Sequence, residues 1–421
     1  MRQQNRDPAT NKAVLRRIRD VDCESLPDPR ARQGTRYPYR TLMHALLVGC
    51  LVAAPSLRAV EALCAGLALW ACRELGIRRR ISDTKLRDTL LGLDQKDLVL
   101  ALHRQVKAEH RRGILEPYYL PFGFAALDGK QLAMLDDWSH EGVQEVHPDK
   151  GVPYGLARVH RAFLLSSRAQ VCLHQRAVPG DTNEIGTVCD FTSELISAYA
   201  QTDLFEVLGF DAGNSSLAHA TLIHQANLGY LAAIKSNCGD IHTEAIRLLS
   251  EQTAEQAEWS VKTREHGTWE TRRLWRVSIQ GYLGWTHARQ LIRVQRLVEN
   301  ERGVVSEGNR YYATNLPAGR LKNQGWLTLI RQYWRIENNG NWTTDVVWKE
   351  DTRRTPWIRV PEAVFALSLL RMIALNVVAV LRSMSRREWD WQWVPWNEVV
   401  QALLALFKPA KPNSLGLPLD I

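Results

Sequence analysis

The seven cysteines of this 421-residue chain (Cys23, Cys50, Cys64, Cys72, Cys172, Cys189 and Cys238) include no Cys-x-x-Cys pair. An odd number without that spacing argues for a reducing cytoplasm and against a structural zinc site. Long apolar runs are missing as well. The stretch 42–54 contains His44 and stops at Pro55, short of the roughly twenty apolar residues that a membrane span needs. A second stretch, 364–381, holds Arg371 and Asn376 and reads as a helix packed on the core, so no membrane partner is expected. Arg2, Arg6, Lys12, Arg16 and Arg17 have no apolar segment behind them, and no secretory signal is expected. Acidic excess is also lacking: 54 Lys and Arg stand against 45 Asp and Glu, a formal net charge of +9. That balance favours a polyanionic partner through counterion release along phosphates, with general solubility as the plainer alternative. At 45% hydrophobic and 24% charged residues the chain is ordinary globular material. It has room for two or three domains, which excludes a single small module.

What is present is a set of acids in telling places. Phe124-Ala125-Ala126-Leu127-Asp128-Gly129-Lys130 is an apolar run ending in Asp128, and Leu208-Gly209-Phe210-Asp211 is a second. Each reads as a buried strand that delivers a carboxylate at its end. Glu337 lies in Tyr333-Trp334-Arg335-Ile336-Glu337-Asn338, which reads as helix. Two strand-end aspartates and a helical glutamate are the smallest all-carboxylate set for two hard divalent cations. Taken singly, Asp128-Gly129 and Asp211-Ala212-Gly213-Asn214 also read as turns, and Glu337 as a solvated helix residue.

The order of elements bears on that choice. The opening, through Arg40, is a basic arm, and 39–107 is helical, with Ser82-Asp83 as an N-cap and Arg73, Arg78, Arg79, Arg80 and Arg87 as a basic cluster. Residues 1–115 are therefore expected to form an arm and a helical DNA-binding domain. From 116 to 238 the chain reads as strands 122–127, 159–165 and 171–178, a helix bearing Ile185, Val188, Phe191 and Leu195, strand 205–210, helix 217–226 and strand 230–234. Three consecutive strands followed by alternating helices and strands is the order of the ribonuclease-H-like fold, an α/β mixed sheet with flanking helices. In such a sheet the ends of the first and fourth strands are neighbours, which would bring Asp128 beside Asp211. Residues 239–319 read as a β-rich insertion, 320–385 as the catalytic helix and a C-terminal helix of the core, and 386–421 as a tail with Trp389, Trp391, Trp393 and Trp396.

These segments match a family. The chain resembles the DDE transposases of bacterial insertion sequences, and among them the H-repeat-associated group. The matching segments are Asp28-Pro29-Arg30, Leu127-Asp128-Gly129-Lys130, Thr182-Asn183-Glu184-Ile185, Phe210-Asp211-Ala212, Ile234-Lys235-Ser236-Asn237, Glu265-His266-Gly267 with Glu270-Thr271-Arg272-Arg273, and the stretch around Glu337 through Trp342, Asp345, Val346, Glu350 and Asp351. Arg371 and Ala374-Leu375-Asn376 follow in the same order. Three departures stand out: Tyr333 where the family has His, Asn339-Gly340-Asn341 in place of a more apolar turn, and Cys238 where Gln is usual.

The resemblance implies that Asp128, Asp211 and Glu337 are the catalytic triad and the ligands of two Mg²⁺ ions, for which Mn²⁺ can substitute. It implies cutting of an element's ends and their joining to target DNA, with double-stranded DNA as partner and at least a homodimer at synapsis. Lys130, Lys235, Arg272, Arg273 and Arg335 are candidate phosphate contacts, with surface solvation as the alternative. His266 fits a turn beside Gly267. A silent DNA-binding protein and a nuclease without strand transfer use the same scaffold. Glycoside hydrolysis accounts for two acids and leaves the third acid and the basic balance unexplained.

Overall fold

The computed structural model describes residues 8–30, 36–265, 267–279, 284–351, 357–384 and 394–409. Trp389, Trp391, Trp393 and His266 lie outside the described residues. The chain divides into two compact units, Met1–Arg112 with Gln131–Arg158 and Trp342–Ile421, and Gly113–Lys130 with Val159–Asn341.

The first unit is mostly helical. It opens with α1 (Pro8–Arg19), α2 (Tyr39–Leu51), α3 (Leu57–Ala65), α4 (Leu69–Leu75), α5 (Asp83–Leu91) and α6 (Gln95–Arg111). Ser82 caps α5 by accepting from the Lys85 amide at 3.3 Å, and Asp94 caps α6 through the Lys96 amide at 2.6 Å, as Ser and Asp do where helix amides lack partners. Along the chain, β1 (Phe124–Leu135) runs into this unit after Lys130, and β2 (Val143–Val146) pairs antiparallel with the first residues of β3 (Tyr154–Leu164).

The second unit carries the rest of the sheet. Its elements are β4 (Cys172–Ala177), α7 (Glu184–Tyr199), β5 (Val207–Phe210), α8 (Leu217–Gln225), β6 (Gly229–Ile234), α9 (Asp240–Leu249), β7 (Trp259–Glu265), β8 (Thr268–Ser278), β9 (Gln290–Asn300), β10 (Gly303–Thr314) and α10 (Asn323–Tyr333). The ten-stranded sheet runs β2-β3-β1-β5-β6-β10-β9-β8-β7, and β4 also pairs with β3. β5 is parallel to both β1 and β6, and its four residues are all buried. Such short continuous apolar strands suit a sheet covered on both faces. The architecture is thus the expected mixed α/β one, three early strands followed by parallel additions.

A π-helical turn, Ile336–Asn341, follows α10. The chain then returns to the first unit through α11 (Trp342–Trp348), α12 (Pro361–Ser383) and α13 (Trp396–Phe407). α12 is apolar on all sides and is buried at every position from Ala363 to Leu381. Among the described residues it is the one helix long and apolar enough to cross a membrane, and its apolar window is wholly buried against protein. It packs on α2, α5, α6 and α1 within the first unit, where Arg371 faces Glu350 at 3.6 Å, both nearly inaccessible.

Three features differ from the sequence reading. β1 does not stop at Leu127; the polar interruption at Asp128 to Gln131 is followed by buried Leu132, Ala133 and Leu135 in the same strand. The β-rich segment does not stand apart, because β10 pairs antiparallel with β6 and carries the core sheet outward. α12, assigned by sequence to the catalytic core, is enclosed instead by the N-terminal helices, whose apolar faces can cover it on every side.

The approach of β1 to the segment before β5 depends on Gly123. A methyl group built there would lie 2.2 Å from the Leu204 carbonyl oxygen and 2.6 Å from the Phe205 Cα, both backbone atoms. Gly123→Ala should cost about 1–3 kcal/mol, the usual range for overpacking. A thermal midpoint equal to that of the wild type would contradict this packing.

Candidate active site

The parallel pairing of β1 with β5 sets Leu127 opposite Phe210, so the next residue on each strand is an aspartate and the two stand side by side. Asp211 is held by an Asx turn: its carboxylate accepts from the Gly213 amide at 3.1 Å and the Asn214 amide at 3.0 Å. Asp128 accepts a hydrogen bond from the Asn341 side-chain amide at 2.8 Å. Asn341 closes the π-helical turn that carries Glu337, so the turn is tied to Asp128 while the Glu337 side chain remains exposed.

A fourth acid, Glu184, stands out in the sequence only as part of the motif Thr182-Asn183-Glu184-Ile185. It is the first residue of α7, capped by Asn183, which accepts from the Gly186 amide at 3.0 Å. Its carboxylate lies over the backbone of Gly129; a methyl group there would be 1.9 Å from its Oε2. The signal available in the sequence was the Asn183 cap, which fixes where α7 begins, together with the side-chain-free Gly129 after Asp128.

Two buried histidines support this arrangement from behind. His160 Nε2 contacts the Glu184 carbonyl oxygen at 3.1 Å and Thr187 Oγ1 at 3.0 Å. His219 Nδ1 contacts the Asn214 carbonyl oxygen at 3.0 Å, and its Nε2 contacts Thr192 Oγ1 at 2.8 Å. Burial pushes both imidazoles down to about 4, so they are neutral at ordinary pH. Tyr333 packs against Gly209 of β5, whose missing side chain leaves room for the ring. Burial, followed by Asp211 and Asp128, holds its phenol well above the usual value.

Asp128 is pushed up to about 7, first by burial and then by the charges of Asp211, Glu337 and Glu184. Crowded carboxylates of this kind are relieved by a proton or a cation. The all-oxygen donor set suits a hard divalent ion such as Mg²⁺ or Mn²⁺. Among the described residues, however, no three His, Cys, Asp or Glu side chains converge on one point as they stand.

The five basic candidates are placed differently from one another. Lys130 is buried in β1. Lys235 is exposed just after β6, in a loop joined to the Asp211 loop by the Asn237 side-chain amide, which donates to the Ala212 carbonyl oxygen at 2.6 Å. Arg272 and Arg335 line a groove of about 840 Å³, together with Arg296, Arg310, Arg331 and Glu337. Arg273 does not line it and bonds Gln295 at 2.8 Å, as expected for successive strand residues on opposite faces. Sequence reading missed Arg310 and Arg331, which lie on different elements and meet only in the fold.

The sign of the Asp128 shift fixes a pH dependence. The folded chain holds the proton up to about pH 7, whereas an ordinary Asp releases it near 3.8. Stability contributed by this group is therefore present in full below 3.8 and is lost as pH rises through 7. Asp128→Asn should raise the thermal midpoint above pH 7 and leave it unchanged at pH 3.8 or below. A gap between the two proteins that does not vary with pH would overturn this account of the cluster.

No protein-family model and no curated protein matches the chain. Among solved structures it is similar to piggyBac transposase in a synaptic complex with hairpin DNA, with a TM-score of 0.46 and 10% sequence identity over 96% of this chain and 80% of that one.

Proposed function

We propose that the second unit is the catalytic core of a metal-dependent DNA transposase, which cuts the ends of an insertion sequence and joins them to target DNA. The observation that carries this reading is the pair Asp128 and Asp211 on adjacent parallel strands, with Glu337 on a turn tied to Asp128. Asp128, Asp211 and Glu337 would hold Mg²⁺ or Mn²⁺. When bound, such ions supply Lewis acidity and an acidified water for in-line displacement at phosphorus.

The chain's own residues do the positioning. The Gly213 and Asn214 amides fix the direction of the Asp211 carboxylate, and the Asn341 amide fixes that of Asp128. The neutral histidines brace the loop after β5 and the first turn of α7 without adding positive charge beside the acids. Arg335 and Arg272 in the groove, and exposed Lys235, would hold phosphates of the substrate. In the first unit, exposed Arg73, Arg78, Arg79, Arg80 and Arg87 would contact the terminal repeats as duplex DNA. The protein would act as a homodimer in the cytoplasm, one subunit for each element end.

The test is cleavage and joining of DNA carrying the element's ends, in Mg²⁺ or Mn²⁺, with Asp128→Asn, Asp211→Asn and Glu337→Gln alongside. Each variant should keep DNA binding and lose activity by about a thousandfold or more, as expected for members of one catalytic unit. Cutting without joining would make the protein a nuclease. Binding with no cutting in either metal would make it a silent DNA-binding protein.

A further inference from the structure

The groove beside Glu337 is built in a way that general solubility does not explain. Arg272 of β8 and Arg296 of β9 stand directly opposite each other in the antiparallel register. Like charges at such positions destabilise a sheet. The repulsion is offset by Glu270, which pairs with both, at 2.7 Å to Arg296. Arg310 of β10 lies over the Trp334 ring, its guanidinium carbon 3.6 Å from the ring centroid, and the Trp334 indole N–H donates to the Tyr312 hydroxyl at 2.9 Å. Arg335 lies over the Tyr119 ring at 4.6 Å. The groove thus combines an arginine pair bridged by Glu270 with guanidinium groups backed by aromatic rings.

We propose that this groove binds single-stranded DNA a few nucleotides long, with phosphates at Arg272, Arg296 and Arg331 and unpaired bases stacked on the Arg310–Trp334 and Arg335–Tyr119 plates. The inference rests on the DNA-processing reading above and names the form of DNA that reaches the site. One observation selects a single strand over a duplex. The groove, about 840 Å³ and open to solvent, presents aromatic rings with guanidinium groups over them, and such faces reward only bases that have left the duplex stack. Glu337 lines the same groove, so a strand held there passes one of the acids.

The test is fluorescence anisotropy with the full chain in EDTA, which removes catalysis from the readout. Three labelled DNAs are compared: a short single strand, a blunt duplex, and that duplex with a single-stranded tail. The wild type should prefer the single strand and the tailed duplex to the blunt duplex. Trp334→Ala and Arg310→Ala should lower affinity for the first two by about tenfold, within the range for losing a stacked base, with little change for the blunt duplex. Trp334→Phe should restore most of the loss, because it keeps a ring beneath Arg310. Arg331→Ala, at an exposed helix position, is expected to reduce the salt dependence of single-strand binding without disturbing the fold. The proposal is overturned if the tail gives no gain over the blunt duplex, or if the variants weaken all three DNAs equally. Tail-dependent binding by a protein that never cuts DNA would sink the transposase reading and leave the groove assignment standing.

Discussion

Mutual repulsion among carboxylates is the constraint around which the second unit is arranged. Parallel pairing of β1 with β5 forces Asp128 and Asp211 together, and the starts of α7 and of the π-helical turn add Glu184 and Glu337. A fold left to maximise its own stability would separate such groups, because ionising Asp128 in this company is unfavourable up to about pH 7. The cluster persists because three of the acids are held by backbone or side-chain amide contacts, and the turn that carries the fourth, Glu337, is tied to Asp128. Asp211 is fixed by its own turn, Asp128 by Asn341, and Glu184 by the first turn of α7. Local violations of this kind, supported by their surroundings, are the usual mark of a functional site.

The same logic explains residues that seem unremarkable in isolation. Gly129 is needed because the Glu184 carboxylate occupies the space of a side chain, and Gly209 because the Phe124 ring, with the Tyr333 ring beside it, does. His160 and His219 are neutral hydrogen-bonding struts. A cationic residue in their place would relieve the acids' repulsion permanently.

How far the sequence could be read follows from which forces are local. The helices of 39–107, the Ser82 cap and the sequence of α7, β5, α8 and β6 were legible because periodicity and capping are properties of short segments. The adjacency of Asp128 and Asp211 was legible through the order of elements. β1 was cut short because its polar middle resembles a turn, although burial resumes at Leu132. The four-residue β2 carries too little pattern to be seen. The sequence does not show the partners of α12, because a helix so largely apolar states that it is buried without stating by what. Glu184 went unnoticed because its role arises from a contact with Gly129 some 55 positions away.

The extension of the sheet from β10 to β7 solves a difficulty that the acids create. On the reading proposed above, a carboxylate cluster that held divalent cations would also repel phosphate, so a DNA strand would need opposing charge close by to approach it. Flexible lysines in loops would supply charge at the cost of ordering long side chains on each encounter. Here β10 is hydrogen-bonded to β6, and β9 and β8 follow in continuous antiparallel register. Arginines on these strands are therefore rigidly placed with respect to the strands that carry the acids. Two of them share one counter-ion, Glu270, and so remain clustered without their full mutual repulsion. Arg310 sits over the Trp334 ring, which limits its freedom before any ligand arrives. Arginine loses less freedom per bond formed when its fork is already oriented, which is the advantage of mounting it on a ladder of strands.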